Sequence, residues 1–352
     1  MIRTRKPRRG FTLVELMIAA GITVLIMTVL SICFQTSMKA MSAMRAQGDA
    51  ADQLRALGEV MKRDAKADHH LPIESAAAVR NRGRRLSDYD FRNGATASTG
   101  FVVINSPASI KEGNDGVFDS YRNTGSSLWF TSVLTGGSEG NLYSALVNGQ
   151  TLTSEAAEIA YFILPAGQTT GSPPQPLFNL YRRQRLVAPD TTRQAIYPTN
   201  DQEMVSVALP PNPNPPFVNT MATLTGGFRN GLIFTPLSGS RTGDDIILSN
   251  VLSFEVKPTW QAPAGLPGPR QMGVSNVGPG NLDTAFTPVT NNASSDAPYD
   301  SLSAFTAAGS QFDSLFPTPN HPRIRVNAVQ IRIRIYDPKA KTARQATWIF
   351  DL

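Results

Sequence analysis

The sequence predicts an α+β fold: a long N-terminal helix, membrane-spanning in its first part, followed by an antiparallel β-rich head that a long Pro/Gly-rich insertion interrupts. Three observations predict it. An unbroken apolar run, Phe11 to Phe34, follows a short basic leader. A proline-free stretch rich in Ala, Met and Leu then continues to Asp68. From about residue 85 onward, short β-type segments alternate with turn residues and not with helices, the pattern of an antiparallel sheet rather than a parallel α/β domain.

The run from Phe11 to Phe34 contains a single charged side chain, Glu15. As a helix it measures about 36 Å, enough to cross the hydrocarbon core of a bilayer. Arg3, Arg5, Lys6, Arg8 and Arg9 precede it, which orients the N-terminus to the cytoplasm and the remainder to the far side. Those five residues also account for most of the net charge of +6, since without them 28 Lys and Arg face 27 Asp and Glu. Bulk charge therefore gives no reason to expect a nucleic-acid partner. The only cysteine, Cys33, lies inside the apolar run, so no intrachain disulfide and no cysteine-ligated metal centre can form. A secretory signal would have a shorter apolar core and a small-residue cleavage site. An ordinary signal anchor fits the length but leaves Glu15 without a reason, and an acid within a membrane span is generally functional.

Arg9-Gly10-Phe11-Thr12-Leu13-Val14-Glu15-Leu16 resembles the prepilin processing motif of type IV pilin-like proteins and pseudopilins. The resemblance implies that a prepilin peptidase cuts after Gly10, that Phe11 becomes a methylated mature N-terminus, and that Glu15 is the fifth residue of the mature chain. There its carboxylate would neutralise an α-amino group in a filament core and so select subunit register. The partners implied are the peptidase, other pilin or pseudopilin subunits, an inner-membrane assembly platform and membrane lipid.

Between Gln35 and Asp68 the composition favours helix. Met38, Met41, Met44, Leu54, Leu57 and Met61 form an apolar stripe expected to pack on the protein's own head. Leu71-Pro72 supplies a stop. Strands are expected at Phe101–Ile104, Ser127–Val133, Glu158–Leu164, Phe178–Leu186, Leu232–Pro236, Ile246–Lys257, Val329–Tyr336 and Gln345–Phe350. Near Asn327-Ala328 the alternation of Val329, Ile331, Ile333 and Ile335 changes phase relative to Ile324 and Val326, which predicts a bulge or break. The stretch Gln53–Asp64, the apolar strand leading into Leu180-Tyr181-Arg182-Arg183, Ser249–Val256 and the last strand pair are similar to J-type minor pseudopilins and W-type minor pilins. Leu209–Phe217 carries five prolines, and Pro258–Pro322 holds 16 Pro or Gly with Arg270 as its only Lys or Arg. The latter reads as an insertion between two core strands.

Residue patterns for other chemistry are weak. His69 and His70 are adjacent and so project in different directions on a helix, which makes a poor chelating pair, and His321 stands far off between prolines. Glu112–Asp119 is oxygen- and glycine-rich but lacks the ligand spacing of an EF-hand and reads as a polar turn. Nucleophile elbows, phosphate loops and dinucleotide fingerprints are missing. No cofactor, no metal and no enzymatic activity are expected. Arg323, Arg325, Arg332 and Arg334 could form a basic strip, with a solvated strand face offset by acids as the plainer reading.

The expected organisation is a leader at 1–10, a transmembrane helix at 11–34, a periplasmic helical extension at 35–70, and a head at 71–352 with an insertion at 258–322. The expected function is that of a minor pilin or pseudopilin, a structural subunit of a type IV pilus-like or type II secretion filament. The alternatives are a filament-tip adhesin or cargo- or DNA-binding subunit on the same anchor, and a tethered β-domain that never enters a filament.

Overall fold

The computed structural model describes residues 12–69, 100, 102–105, 110–114, 119–134, 142–147, 149–170, 174–188, 204–207, 218–220, 236–237, 239–261, 299–300, 325–338 and 340–351. Leu209–Phe217, the strand expected at Leu232–Pro236 except Pro236, and most of the 258–322 insertion lie outside them.

Helix α1 runs from Leu13 to Lys66 without interruption, about 80 Å at 1.5 Å per residue. Thr12 caps its start, and Arg63 and Lys66 sit in its last turn, where positive charge complements the helix dipole. It ends before Leu71-Pro72 because Ala67 turns extended and Asp68 exchanges backbone hydrogen bonds with Val133 at 3.1 and 2.6 Å. Tertiary pairing thus ends the helix ahead of the proline.

The head is built on one antiparallel sheet. Its strands are β1 (Val102–Asn105), β4 (Ser127–Val133), β7 (Ala156–Thr169), β8 (Pro176–Val187), β9 (Ile246–Gln261), β10 (Tyr299–Asp300), β11 (Arg325–Asp337) and β12 (Thr342–Asp351), in the order β10-β1-β4-β7-β8-β9-β11-β12. Two hairpins are added, β2 (Ile110–Asn114) with β3 (Asp119–Arg122) and β5 (Tyr143–Val147) with β6 (Gln150–Ser154). The expected hairpin of apolar strand and Leu-Tyr-Arg is β7 paired with β8. The phase change at Asn327 is present as a register shift in the β9–β11 ladder between Val326 and Ala328. A second irregularity lies in β9, where Asn250 takes a positive φ of 58°, a conformation that Asn tolerates better than most residues.

The core fills the space between one sheet face and the C-terminal part of α1. Ala50, Leu54, Leu57, Met61 and Ala65 are buried against Ile104, Phe130, Ile159, Tyr161, Leu180, Phe254, Val256, Ile331, Ile333 and Phe350. Their three- and four-residue spacing puts them on one helix face. The expectation that the whole Met/Leu stripe packs on the head needs correction. Met38, Met41 and Met44 are 59–72% exposed, because the sheet reaches along α1 only as far as Ala50 and these methionines fall on the opposite side of the helix.

Gly58 has a packing reason. A Cβ at this position would lie 2.6 Å from Nε1 and 3.0 Å from Cε2 of the Trp348 indole on β12, a rigid ring rather than a yielding chain end. Gly58→Ala should therefore destabilise the head by about 1 kcal/mol, overpacking of about 1–3 kcal/mol outweighing the helix propensity gained. A urea unfolding midpoint by circular dichroism checks this, and a midpoint that rose would mean that the indole gives way freely.

Candidate processing and assembly site

Gly10 and Phe11 lie outside the described residues. The first described position, Thr12, and Glu15 form a reciprocal cap. The Thr12 amide donates to Glu15 Oε2 at 2.9 Å, the Thr12 hydroxyl donates to the same oxygen at 3.0 Å, and the Glu15 amide donates to Thr12 Oγ1 at 3.3 Å. This is the Thr-x-x-Glu arrangement in which two otherwise unpaired donors of the first turn are satisfied at once. Its consequence is positional: the carboxylate folds back onto the Thr12 amide at the start of the helix and does not project sideways into the apolar face. Around it Leu13, Val14, Leu16, Met17 and Ile18 are all more than half exposed. Nothing in the most apolar window of α1 is buried among the described residues, and the helix is long and apolar enough to cross a membrane.

The other end of α1 carries a site that the sequence showed only in pieces. Asp64 is fully buried. Arg182 Nε donates to its Oδ2 at 2.6 Å and Arg182 Nη2 to its Oδ1 at 3.0 Å, while the Tyr161 hydroxyl donates to Oδ2 at 2.6 Å. The bidentate geometry is the strong form of a carboxylate–guanidinium pair. Burial alone would weaken the Arg182 proton, but the hydrogen bonds and charge of Asp64 outweigh it and raise the guanidinium above its ordinary value. Burial, with the charge of Asp64 added, pushes the Tyr161 hydroxyl well up. Burial likewise lifts neighbouring Tyr143 to about 12, although its 2.6 Å hydrogen bond with Ser132 acts the other way. Both tyrosines stay protonated at neutral pH. His69, just beyond the helix, places Nδ1 2.8 Å from the Thr131 carbonyl and its ring edge-on to Phe130. Strands β4, β7 and β8 thus all grip the end of α1. The signal in the sequence was Asp64 itself, an acid in phase with Leu54, Leu57 and Met61.

The far face of the sheet carries a second apolar cluster, Val103, Trp129, Ala160, Phe162 and Tyr181, and ion pairs on the same side. Arg183 is buried against Asp245 at 2.6 Å and lies over the Phe162 ring. Glu255 pairs with Lys257 at 3.2 Å and Arg332 at 3.4 Å. Glu112 on β2 engages Arg122 and Arg334. Arg332 and Arg334 thus fit the plainer reading, a strand face offset by acids, better than a basic strip; Arg323 lies outside the described residues. Glu112–Asp119 belongs to the β2–β3 hairpin, with 115–118 outside the described residues. His70 and His321 also lie outside.

Residues 5–31 match the family described as the prokaryotic N-terminal methylation motif. No curated protein and no solved structure matches the chain.

Proposed function

We infer from the prepilin-type motif at residues 5–31 that the chain is a type IV pilin-like subunit, processed after Gly10 and assembled through Phe11 and Glu15 into a pilus-like or type II secretion filament. Its role is structural, not enzymatic. The chain inserts with its N-terminus cytoplasmic and its head on the outer side of the inner membrane, and prepilin peptidase removes residues 1–10. The helix then leaves the bilayer to pack among the helices of other subunits on an assembly platform. The single observation that carries this reading is Glu15, the one charge in the apolar run, at the spacing from Gly10 that the processing motif requires. The Thr12–Glu15 cap supports it, because the carboxylate is already aimed at the end of the helix where a new α-amino group would arise. The size of the head favours a minor subunit over a major one.

A tip adhesin or cargo- or DNA-binding subunit on the same anchor remains the second reading. It draws on the 258–322 insertion. The paired state of Arg332 and Arg334 weighs against nucleic acid, since phosphate binding needs uncompensated cations.

Intact mass and N-terminal sequencing of the membrane-extracted protein, with and without co-expressed prepilin peptidase, test the reading. A mature chain beginning at methylated Phe11 is expected. Retention of the leader beside an active peptidase would overturn it and leave a membrane-anchored β-domain.

A further inference from the structure

We propose that Gly48 is a hinge at which the membrane-proximal part of α1 bends relative to the part fixed to the head. Three glycines lie within the helix, and they differ. Gly58 is explained by the Trp348 ring against it, whereas a Cβ at Gly21 or Gly48 would meet nothing within 4 Å. Gly21 sits in the apolar segment, where glycine is common in membrane helices. Gly48 sits in the polar part, where it weakens the helix and no packing in the chain requires it.

Its position is the second observation. Ala50, two residues on, is the first buried residue of the docked half, and beyond it the helix is held by apolar packing, the Gly58–Trp348 contact and the Asp64–Arg182–Tyr161 cluster. On the other side, every described residue of 35–49 is exposed except Ala43, which is half-buried; the Ala46 side chain lies outside the described residues. This stretch is part of a continuous helix but is stiffened by its own backbone hydrogen bonds and not by packing on the sheet. It joins two regions that are each held firmly, one by lipid and one by the sheet, so bending concentrates there, and the weakest residue at its head-side end is Gly48. Glycine there has the widest backbone freedom of any residue. The hinge lets the head keep its own orientation while the N-terminal segment changes environment. It does not depend on filament incorporation; only that use of it rests on the proposed function.

The test is a distance distribution by double electron–electron resonance on the full chain in detergent micelles. One spin label is placed on the native Cys33 and the other on Thr347→Cys, an exposed position of β12. The parent should show a broad distribution. Gly48→Ala should narrow it, because the exchange favours the helical state about fivefold, and Gly48→Pro should shift it to shorter distances. Gly21→Ala, on the membrane side of Cys33, is the control and should change nothing. A parent distribution as narrow as that of Gly48→Ala would overturn the proposal and point instead to a rigid rod whose small residue serves close approach by another helix.

Discussion

Arg182→Ala lowers the melting temperature of the head by roughly 6–20 °C, the shift that corresponds to about 3–5 kcal/mol in a domain of this size. The reason is not the loss of an attraction alone. The substitution leaves Asp64 fully buried with only the Tyr161 hydroxyl and the largely exposed Arg63, at 3.4 Å, as partners among the described residues, and a poorly compensated buried carboxylate is far more unfavourable than the absence of the whole pair. The same logic predicts that Asp64→Leu combined with Arg182→Met recovers most of the loss, since a well-packed apolar pair can replace a buried ion pair nearly neutrally. Thermal unfolding of the full chain in detergent, followed by tryptophan fluorescence, reads this out, because all three tryptophans, Trp129, Trp260 and Trp348, belong to the head. A single variant within about 0.5 kcal/mol of the parent, the range of an ordinary surface change, would sink the claim that this cluster holds the helix to the sheet.

Under the proposed function, Glu15→Ala should leave insertion and cleavage intact while removing the protein from filaments sheared from cells. An α-amino group buried among apolar helices without a counter-charge is disfavoured by several kcal/mol, so incorporation should fall by two to three orders of magnitude. Loss of the capping box alone costs about 1 kcal/mol, too little to unfold a helix of this length held in lipid. Mass spectrometry of the membrane fraction establishes processing, and immunoblots of the sheared fraction give incorporation. Normal abundance of Glu15→Ala in that fraction would show that the carboxylate does not govern assembly.

Much of the fold is legible in the sequence where hydrophobic periodicity is strong. The strand at Ser127–Val133 has the bounds the pattern suggested, and the phase slip at Asn327 became a measurable register shift. Short polar strands escaped notice. Ile110–Asn114 and Asp119–Arg122 read IKEGN and DSYR, with too few apolar residues to alternate. Tyr143–Val147 and Gln150–Ser154 were findable, since Asn148-Gly149 between them is a strong short-range hairpin signal. The Met38, Met41 and Met44 stripe misled for a different reason: its local three-residue steps do not carry over onto the face of Leu54, Leu57 and Met61, so the methionines stay exposed. The Asp64 cluster brings together residues up to 118 positions apart, and only the sheet order makes them neighbours.

The arrangement of β9 and β11 bears on what the head can accommodate. Gln261 and Arg325 are register partners on adjacent antiparallel strands, so the intervening 63 residues depart from and return to points roughly 5 Å apart. Doubling the length of such a detour costs only about 0.6 kcal/mol in closure entropy. Away from Tyr299–Asp300, which pairs with β1 at the far edge of the sheet, material can therefore be added here during evolution, or spliced in by an engineer as a passenger domain with closely spaced termini, while the β9–β11 ladder keeps its register.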